Sequence, residues 1–342
     1  MAERLSTRPT EPARPPRVAR HGRARRVVPP PSWTVLGMLL VVLAGVLFVG
    51  AYANAAFVPD RQHTDHGQTR VPADVVDGGP ILTAADGDVR SYRLPARTLA
   101  LTFDDGPDPT WTPEILRVLA KYDVPATFFV MGSQVARHPG LVRDMVVAGH
   151  EIGVHTFTHP DLATLPGWRR RLEYAQTQLA LASAAGVEAT LVRFPYSSFA
   201  NAIDDHDWPL VTEAGDLGYL TVLNDTDSLD WERPGVDRVV ANAVPPGYSG
   251  AITLWHDAGG DRAQTVAALD RYIPLMKERG YRFTTATEGL NLALAAAGID
   301  QRAVANPPAS GADRWRGTIL VWAVRGADAT LGLFGILFVV VG

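Results

Sequence analysis

From Arg97 to about Asn291, short apolar and β-branched runs alternate with longer stretches in which apolar residues recur every three or four positions. The runs TLALTFD (98–104), ATFFVMG (126–132), EIGVHT (151–156), TLVRFPY (190–196), YLTVLND (219–225), GAITLWHD (250–257) and YRFTTAT (281–287) predict strands. The stretches between them, TPEILRVLAKYD and HPGLVRDMVVAG among them, predict helices. In GWRRRLEYAQTQLALASAAG, Leu172, Ala175, Leu179 and Ala182 supply the apolar stripe of an amphipathic helix. Strands alternating with helices predict an α/β protein with a parallel sheet. Seven repeats across 97–291 suit a (β/α)7-type barrel better than an open sheet, with closure left open. Residues 58–96 show no strong periodicity and read as a connector, and 292–316 as an exit linker.

The flanks follow another pattern. No charge occurs between Arg26 and Asp60, and 32–57 is long and apolar enough for a transmembrane helix. Residues 1–31 precede it with eight Arg, two Glu and several Pro, as a disordered cytoplasmic tail would. Arginine on that side predicts a cytoplasmic N-terminus and an exported domain. A cleaved signal peptide is the competing reading, because Ala53-Asn54-Ala55 resembles a small-x-small cleavage site. At the other end, Ala329 to Gly342 is fourteen residues without a charge, so 317–342 is expected to be a second, truncated membrane helix of a longer chain. A buried or amphipathic helix is the alternative. Next to such a segment the basic tail argues for a membrane flank and against nucleic acid. The net charge of −4 leaves the remainder of the chain acidic once that tail is set aside.

With no cysteine in the 342 residues, disulfides and thiolate metal sites are excluded, and any metal must be held by His, Asp or Glu. Such residues gather where strands end: Asp104 and Asp105, His155 and His159, Arg193 and Tyr196, Asp227, Asp230 and Trp231, then His256 and Asp257. In βα barrels these ends form one mouth, and that mouth carries the chemistry. Adjacent side chains on a regular strand point to opposite faces. Gly106-Pro107 breaks the strand, letting both carboxylates turn into the mouth. Two carboxylates so close repel unless a cation neutralises one. His155 and His159, spaced H-x-x-x-H as on one side of a helical turn, are candidates for the cation's other ligands. Two His, one carboxylate and an open position suit catalytic zinc, and the same set serves non-haem iron oxygenases.

The blocks TFDDGP (102–107), HTFTHP (155–160), RFPY (193–196), DSLDW (227–231) and LWHD (254–257) together resemble the polysaccharide deacetylases with a NodB-type domain. The resemblance covers 97–291 and implies an irregular (β/α) barrel that removes the N-acetyl group of N-acetylglucosamine residues in an extracytoplasmic polysaccharide. It implies Asp105, His155 and His159 as ligands of zinc, or of another divalent metal such as cobalt. It implies Asp104 as general base, Arg193 as the group orienting it, and the Tyr196 N–H as an oxyanion donor. His256 would be the general acid with Asp227 as its partner, and Trp231 and Leu254 would wall the acetyl pocket. Many members have Gly after the Pro-Tyr pair where this chain has Ser197-Ser198, which bears on substrate shape. The flanks resemble a subgroup in which a membrane helix and a glycosyltransferase follow the deacetylase domain. Peptidoglycan, chitin-like oligomers and poly-N-acetylglucosamine all present the required acetamide. A silent carbohydrate-binding relative would have lost a ligand or Asp104, and neither is lost. An iron oxygenase would want a β-sandwich, and a glycosidase would leave two histidines without a purpose.

Overall fold

The computed structural model describes Gly37, Val41 and residues 71–341, apart from 86–87, 197–198 and 200–202. The chain divides into two units, Met1–Leu47 and Phe48–Gly342, and the sheet belongs to the second. The expected basic tail, the first membrane segment and 58–70 of the connector lie outside the described residues, except Gly37 and Val41, which are helical.

Along the described chain the strands are β1 (Ile81–Ala85), β2 (Asp88–Tyr92), β3 (Thr98–Asp104), β4 (Thr127–Val130), β5 (Glu151–Val154), β6 (Leu191–Val192), β7 (Leu220–Val222), β8 (Thr226–Asp227), β9 (Ala251–His256) and β10 (Arg282–Thr284). The helices are α1 (Ala73–Val76), α2 (Trp111–Tyr122), α3 (Gly132–Arg137), α4 (Pro139–Val147), α5 (Gly167–Ala185), α6 (Trp208–Asp216), α7 (Val236–Ala243), α8 (Ala263–Glu278), α9 (Ala286–Ala296) and α10 (Gly311–Val341). The strands form one sheet in the order β2-β1-β7-β6-β5-β4-β3-β9-β8, with β10 also paired to β3. Every pairing among β3 to β10 is parallel, while β1 pairs antiparallel with β2 and β7.

All seven expected runs contain strands. Two features differ from the expected barrel. Among the described residues β7 and β8 do not pair, so the barrel is incomplete. The segment expected to be a plain connector instead folds into the sheet from Ile81, where Ile81, Leu82 and Ala84 are buried. Its two short strands escape a periodicity search because they form an edge hairpin whose second strand is largely solvent-facing.

Alternation along β3 decides where the polar groups go. Leu99, Leu101 and Phe103 join the core between sheet and helices, while Ala100 joins the cluster inside the barrel. Thr102 and Asp104 share the inward parity of Ala100. On β9 the same parity carries Ile252, Leu254 and His256 inward, with Trp255 outward among the helices. The other end of the barrel is closed by α9, whose Ala286, Leu290 and Leu294 enter the inner cluster. Its N-terminus is capped by the Thr285 hydroxyl, which accepts from the Glu288 N–H, and by Glu151, which accepts from the Thr287 N–H.

The apolar stripe expected on α5 is misplaced by part of a turn. Leu172 and Ala175 are exposed, and the buried face carries Glu173, Tyr174, Thr177, Ala180, Leu181, Ala182 and Ala184. The C-terminal region differs as well. Residues expected as a free exit linker are pinned to the barrel, because the Asn306 side chain accepts from the Ile152 N–H and donates to the Ile152 carbonyl. The helix expected from 317 begins at Gly311, and its first half lies on α5. There a Cβ on Gly317 would strike the Leu179 carbonyl, and farther along Asp328 pairs with Arg137 of α3 at 2.8 Å. Among the described residues no helix is long and apolar enough to cross a membrane.

Candidate active site

At the mouth, Asp104 ends β3 on the inward parity and Asp105 follows with φ +77°. That left-handed backbone is rare for a residue with a Cβ, and it carries the second carboxylate to the same side as the first. Asp257 supports the turn from behind. Its carboxylate accepts from the Thr112 hydroxyl and leaves no room for a Cβ at Gly106. Burial, aided by the nearby Asp105 and Asp104, pushes the Asp257 carboxyl up to about 7.

His155 and His159 do not lie on a helical turn as the H-x-x-x-H spacing suggested. They flank a loop after β5 in which Thr156 (φ +64°) and His159 (φ +59°) are both left-handed, and their ring centroids are 4.9 Å apart. The Thr156 hydroxyl accepts the His159 N–H at 3.0 Å and fixes the loop's return. His155 Nε2 lies 3.5 Å and His159 Nε2 3.2 Å from Asp105 Oδ1. One ligand atom from each of the three residues falls within 4.8 Å of the others.

Protonation decides what that trio can hold. His155 Nδ1 is 2.9 Å from the Arg193 carbonyl, which can only accept, so Nδ1 bears the proton of the neutral ring and Nε2 offers a lone pair. Burial, stronger than the pull of Asp104, depresses the basicity of His155 and keeps it neutral. A lone pair then faces Asp105 Oδ1, a buried oxygen with no hydrogen-bond partner. Burial alone would raise the Asp105 carboxyl, but His159 beside it, aided by His256, holds it well below the usual range. Two imidazoles and an ionised carboxylate converging on one point are a donor set that fits a divalent cation.

Asp104 is set apart from that trio. Its Oδ1 accepts from Arg193 Nη1 at 2.9 Å, while Oδ2 is 3.9 Å from His155 Nε2. Arg193 is fully buried and is held by Thr102 Oγ1, the carbonyls of Val222 and Leu223, and the Phe129 ring. Tyr196 (φ +67°) turns its ring edge-on to His159, and its hydroxyl is 3.2 Å from His159 Nδ1, a contact the sequence did not suggest.

Across the mouth, the expected partner of His256 needs correction. Asp230, not Asp227, meets His256 Nδ1, at 2.7 Å. Asp230 also accepts from the His256 N–H and the Thr265 hydroxyl. Asp227 spends Oδ1 on the Leu229 N–H in a tight turn. Leu229 is left-handed (φ +52°), and this turn starts the short 3₁₀ helix Asp230–Glu232 that brings Asp230 back over β9. Burial would weaken the base His256, but Asp230 outweighs it and lifts the imidazole to about 9. Trp231 stands half exposed beside this pair, and Leu254 is buried on the inward parity of β9. Ser197 and Ser198 lie outside the described residues. His150 is buried, with Nδ1 accepting from the Ala126 N–H, and burial brings it down to about 4.

Comparison with known proteins agrees with this geometry. Residues 91–219 match the family model described as polysaccharide deacetylase. The chain is 40% identical over 194 residues to a peptidoglycan-N-acetylglucosamine deacetylase of Bacillus cereus, covering 56% of this chain and 87% of that protein. The chain belongs to the polysaccharide deacetylase family. It is thereby a hydrolase acting on a linear amide C–N bond. A chitooligosaccharide deacetylase of Sinorhizobium fredii is 38% identical over 198 residues, covering 54% of this chain and 88% of its own. The solved structure of the peptidoglycan deacetylase PdaC from Bacillus subtilis superposes with a TM-score of 0.52 at 30% identity, covering 59% of this chain and 94% of that one.

Proposed function

We propose that this chain hydrolyses the N-acetyl group of N-acetylglucosamine residues in a glycan outside the cytoplasm, releasing acetate and leaving a free amine. Asp105, His155 and His159 would hold a divalent cation, zinc by the donor set, with cobalt a workable substitute. When bound there, such an ion supplies Lewis acidity to the acetamide carbonyl and to the attacking water. Asp104, kept outside the ligand set and oriented by Arg193, accepts the water's proton. The Tyr196 N–H is the chain's own donor toward the developing oxyanion. His256, protonated through Asp230, delivers a proton to the nitrogen as the C–N bond breaks, so the amine leaves neutral. Trp231 and Leu254 border the place of the acetyl methyl.

The observation that carries this reading is the division of labour between two adjacent carboxylates. Asp105 faces the Nε2 atoms of two imidazoles, while Asp104 is tied to a buried guanidinium. The deciding experiment is acetate release from peptidoglycan, chitin oligomers and poly-N-acetylglucosamine, with and without chelator. Release from at least one polymer should fall more than tenfold on chelation and return with added zinc. Chelator-insensitive turnover, or no release from any of the three, would overturn the reading.

The export reading rests on the arginine-rich 1–31 ahead of the uncharged 32–57, which favours a membrane anchor with the catalytic domain outside. A glycosyltransferase, fused or separate, would then be its natural partner at the same surface. Protease added to spheroplasts should cleave within 97–291. Full protection until the membrane is lysed would exclude this topology.

A further inference from the structure

Glu173 is the one acidic residue on the buried face of α5, and the five sequence blocks do not include it. It is only 4% exposed. One of its oxygens, Oε2, accepts the N–H groups of Phe157 and Thr158, both at 2.8 Å, and Oε1 accepts the Thr158 hydroxyl at 2.8 Å. Phe157 and Thr158 lie between His155 and His159 in sequence. The loop they form has left-handed residues at Thr156 and His159, a strained conformation that persists only where the surrounding structure holds it. Two further bonds tie the loop to α3, where Gly132 and Ser133 donate to the carbonyls of Thr156 and Phe157. Those bonds satisfy carbonyls. The N–H groups of Phe157 and Thr158 have Glu173 as their acceptor, and a buried N–H left unmet is destabilising.

We infer that Glu173 is a positioning residue for the metal site: it clamps the loop joining His155 to His159 so that both Nε2 atoms converge on Asp105. This rests on the metal-site reading given under the proposed function. Outer groups of this kind change metal affinity by about 10–100-fold when removed. The carboxylate is used here as a three-bond acceptor, so an amide can replace much of it. In Glu173→Gln the amide oxygen can still accept both N–H groups while its NH₂ turns to the Thr158 hydroxyl, which then accepts.

The test is zinc affinity, measured on purified full-length chain by competition with a chromophoric chelator, together with circular dichroism of the metal-free protein. Glu173→Ala should bind zinc at least tenfold more weakly than wild type while its metal-free spectrum is unchanged, and Glu173→Gln should recover most of the loss. Wild-type affinity in Glu173→Ala, or a Glu173→Gln variant as weak as Glu173→Ala, overturns the inference. If Glu173→Ala does not fold, Thr158→Val decides. It removes one of the three bonds, and a few-fold weakening supports the clamp while unchanged affinity overturns it. Failure of the wild-type chain itself to bind zinc would instead overturn the metal-site reading.

Discussion

Replacing Asp104 with Asn is expected to cut acetate release by roughly 10³-fold, within the 10²–10⁴ range of a positioned general base, while zinc stoichiometry stays at the wild-type value. The geometry separates the two effects. Asp104 lies outside the trio of convergent ligand atoms, so its loss leaves Asp105, His155 and His159 in place. Asn is close in shape and can still accept from Arg193 Nη1, but it cannot take a proton from water at any working pH. The change also has a structural cost. Arg193 is fully buried beside Asp104, and breaking a buried pair by removing one charge costs about 3–5 kcal/mol. Because Asn keeps the hydrogen bond, that range is an upper bound. Turnover, zinc content and melting temperature measured on one preparation distinguish the outcomes. Near-normal turnover removes Asp104 from the role of base. Lost zinc would instead make it a fourth ligand.

The strand framework was legible because each barrel strand is a short apolar run ending in polar residues. Periodicity and turn signals report that arrangement directly. The alternation on β3 and β9 was legible for the same reason, and it explains why Asp104, Leu254 and His256 face inward together. What the chain did not disclose is set by loop conformation and by packing between distant segments. The H-x-x-x-H spacing fits a helical turn, yet left-handed residues at Thr156 and His159 make it a loop. Glu173 stands in WRRRLEY without a signal that marks it as buried. The apolar Leu172 and Ala175 drew the stripe to the wrong side of α5. A carboxylate whose i+4, i+7, i+8 and i+11 positions are Thr177, Ala180, Leu181 and Ala184 is the trace it left. The N-terminal hairpin went unseen because its stability comes from pairing with β7, more than 130 residues away in sequence.

The choice between Asp227 and Asp230 shows the same limit and leads to a sharp expectation. Both belong to DSLDW, and either spacing could reach the end of β9. The left-handed Leu229 decides it, by spending Asp227 on the local turn and folding Asp230 back to His256. Asp230→Asn should therefore lower acetate release at pH 8 by about 10²–10³-fold, the order expected when general acid catalysis fails. Asp227→Asn should cost far less. The pH profile supplies the mechanism. With burial opposing and Asp230 prevailing, His256 titrates near 9, so the acid form dominates at neutral pH and is lost as pH rises toward that value. A divalent cation nearby would lower this further, so the wild-type alkaline limb falls at or below about 9. Without the Asp230 charge, burial is opposed only by Asp105 and Asp104, and the limb should move down. The same linkage bears on stability. A histidine raised in the folded state contributes fully below its unfolded value of about 6.5, and that contribution fades as pH climbs through 9. Asp230→Asn should flatten this dependence between pH 6.5 and 9, whereas Asp227→Asn should leave it intact. An alkaline limb that moves in Asp227→Asn and stays in Asp230→Asn would return the pairing role to Asp227.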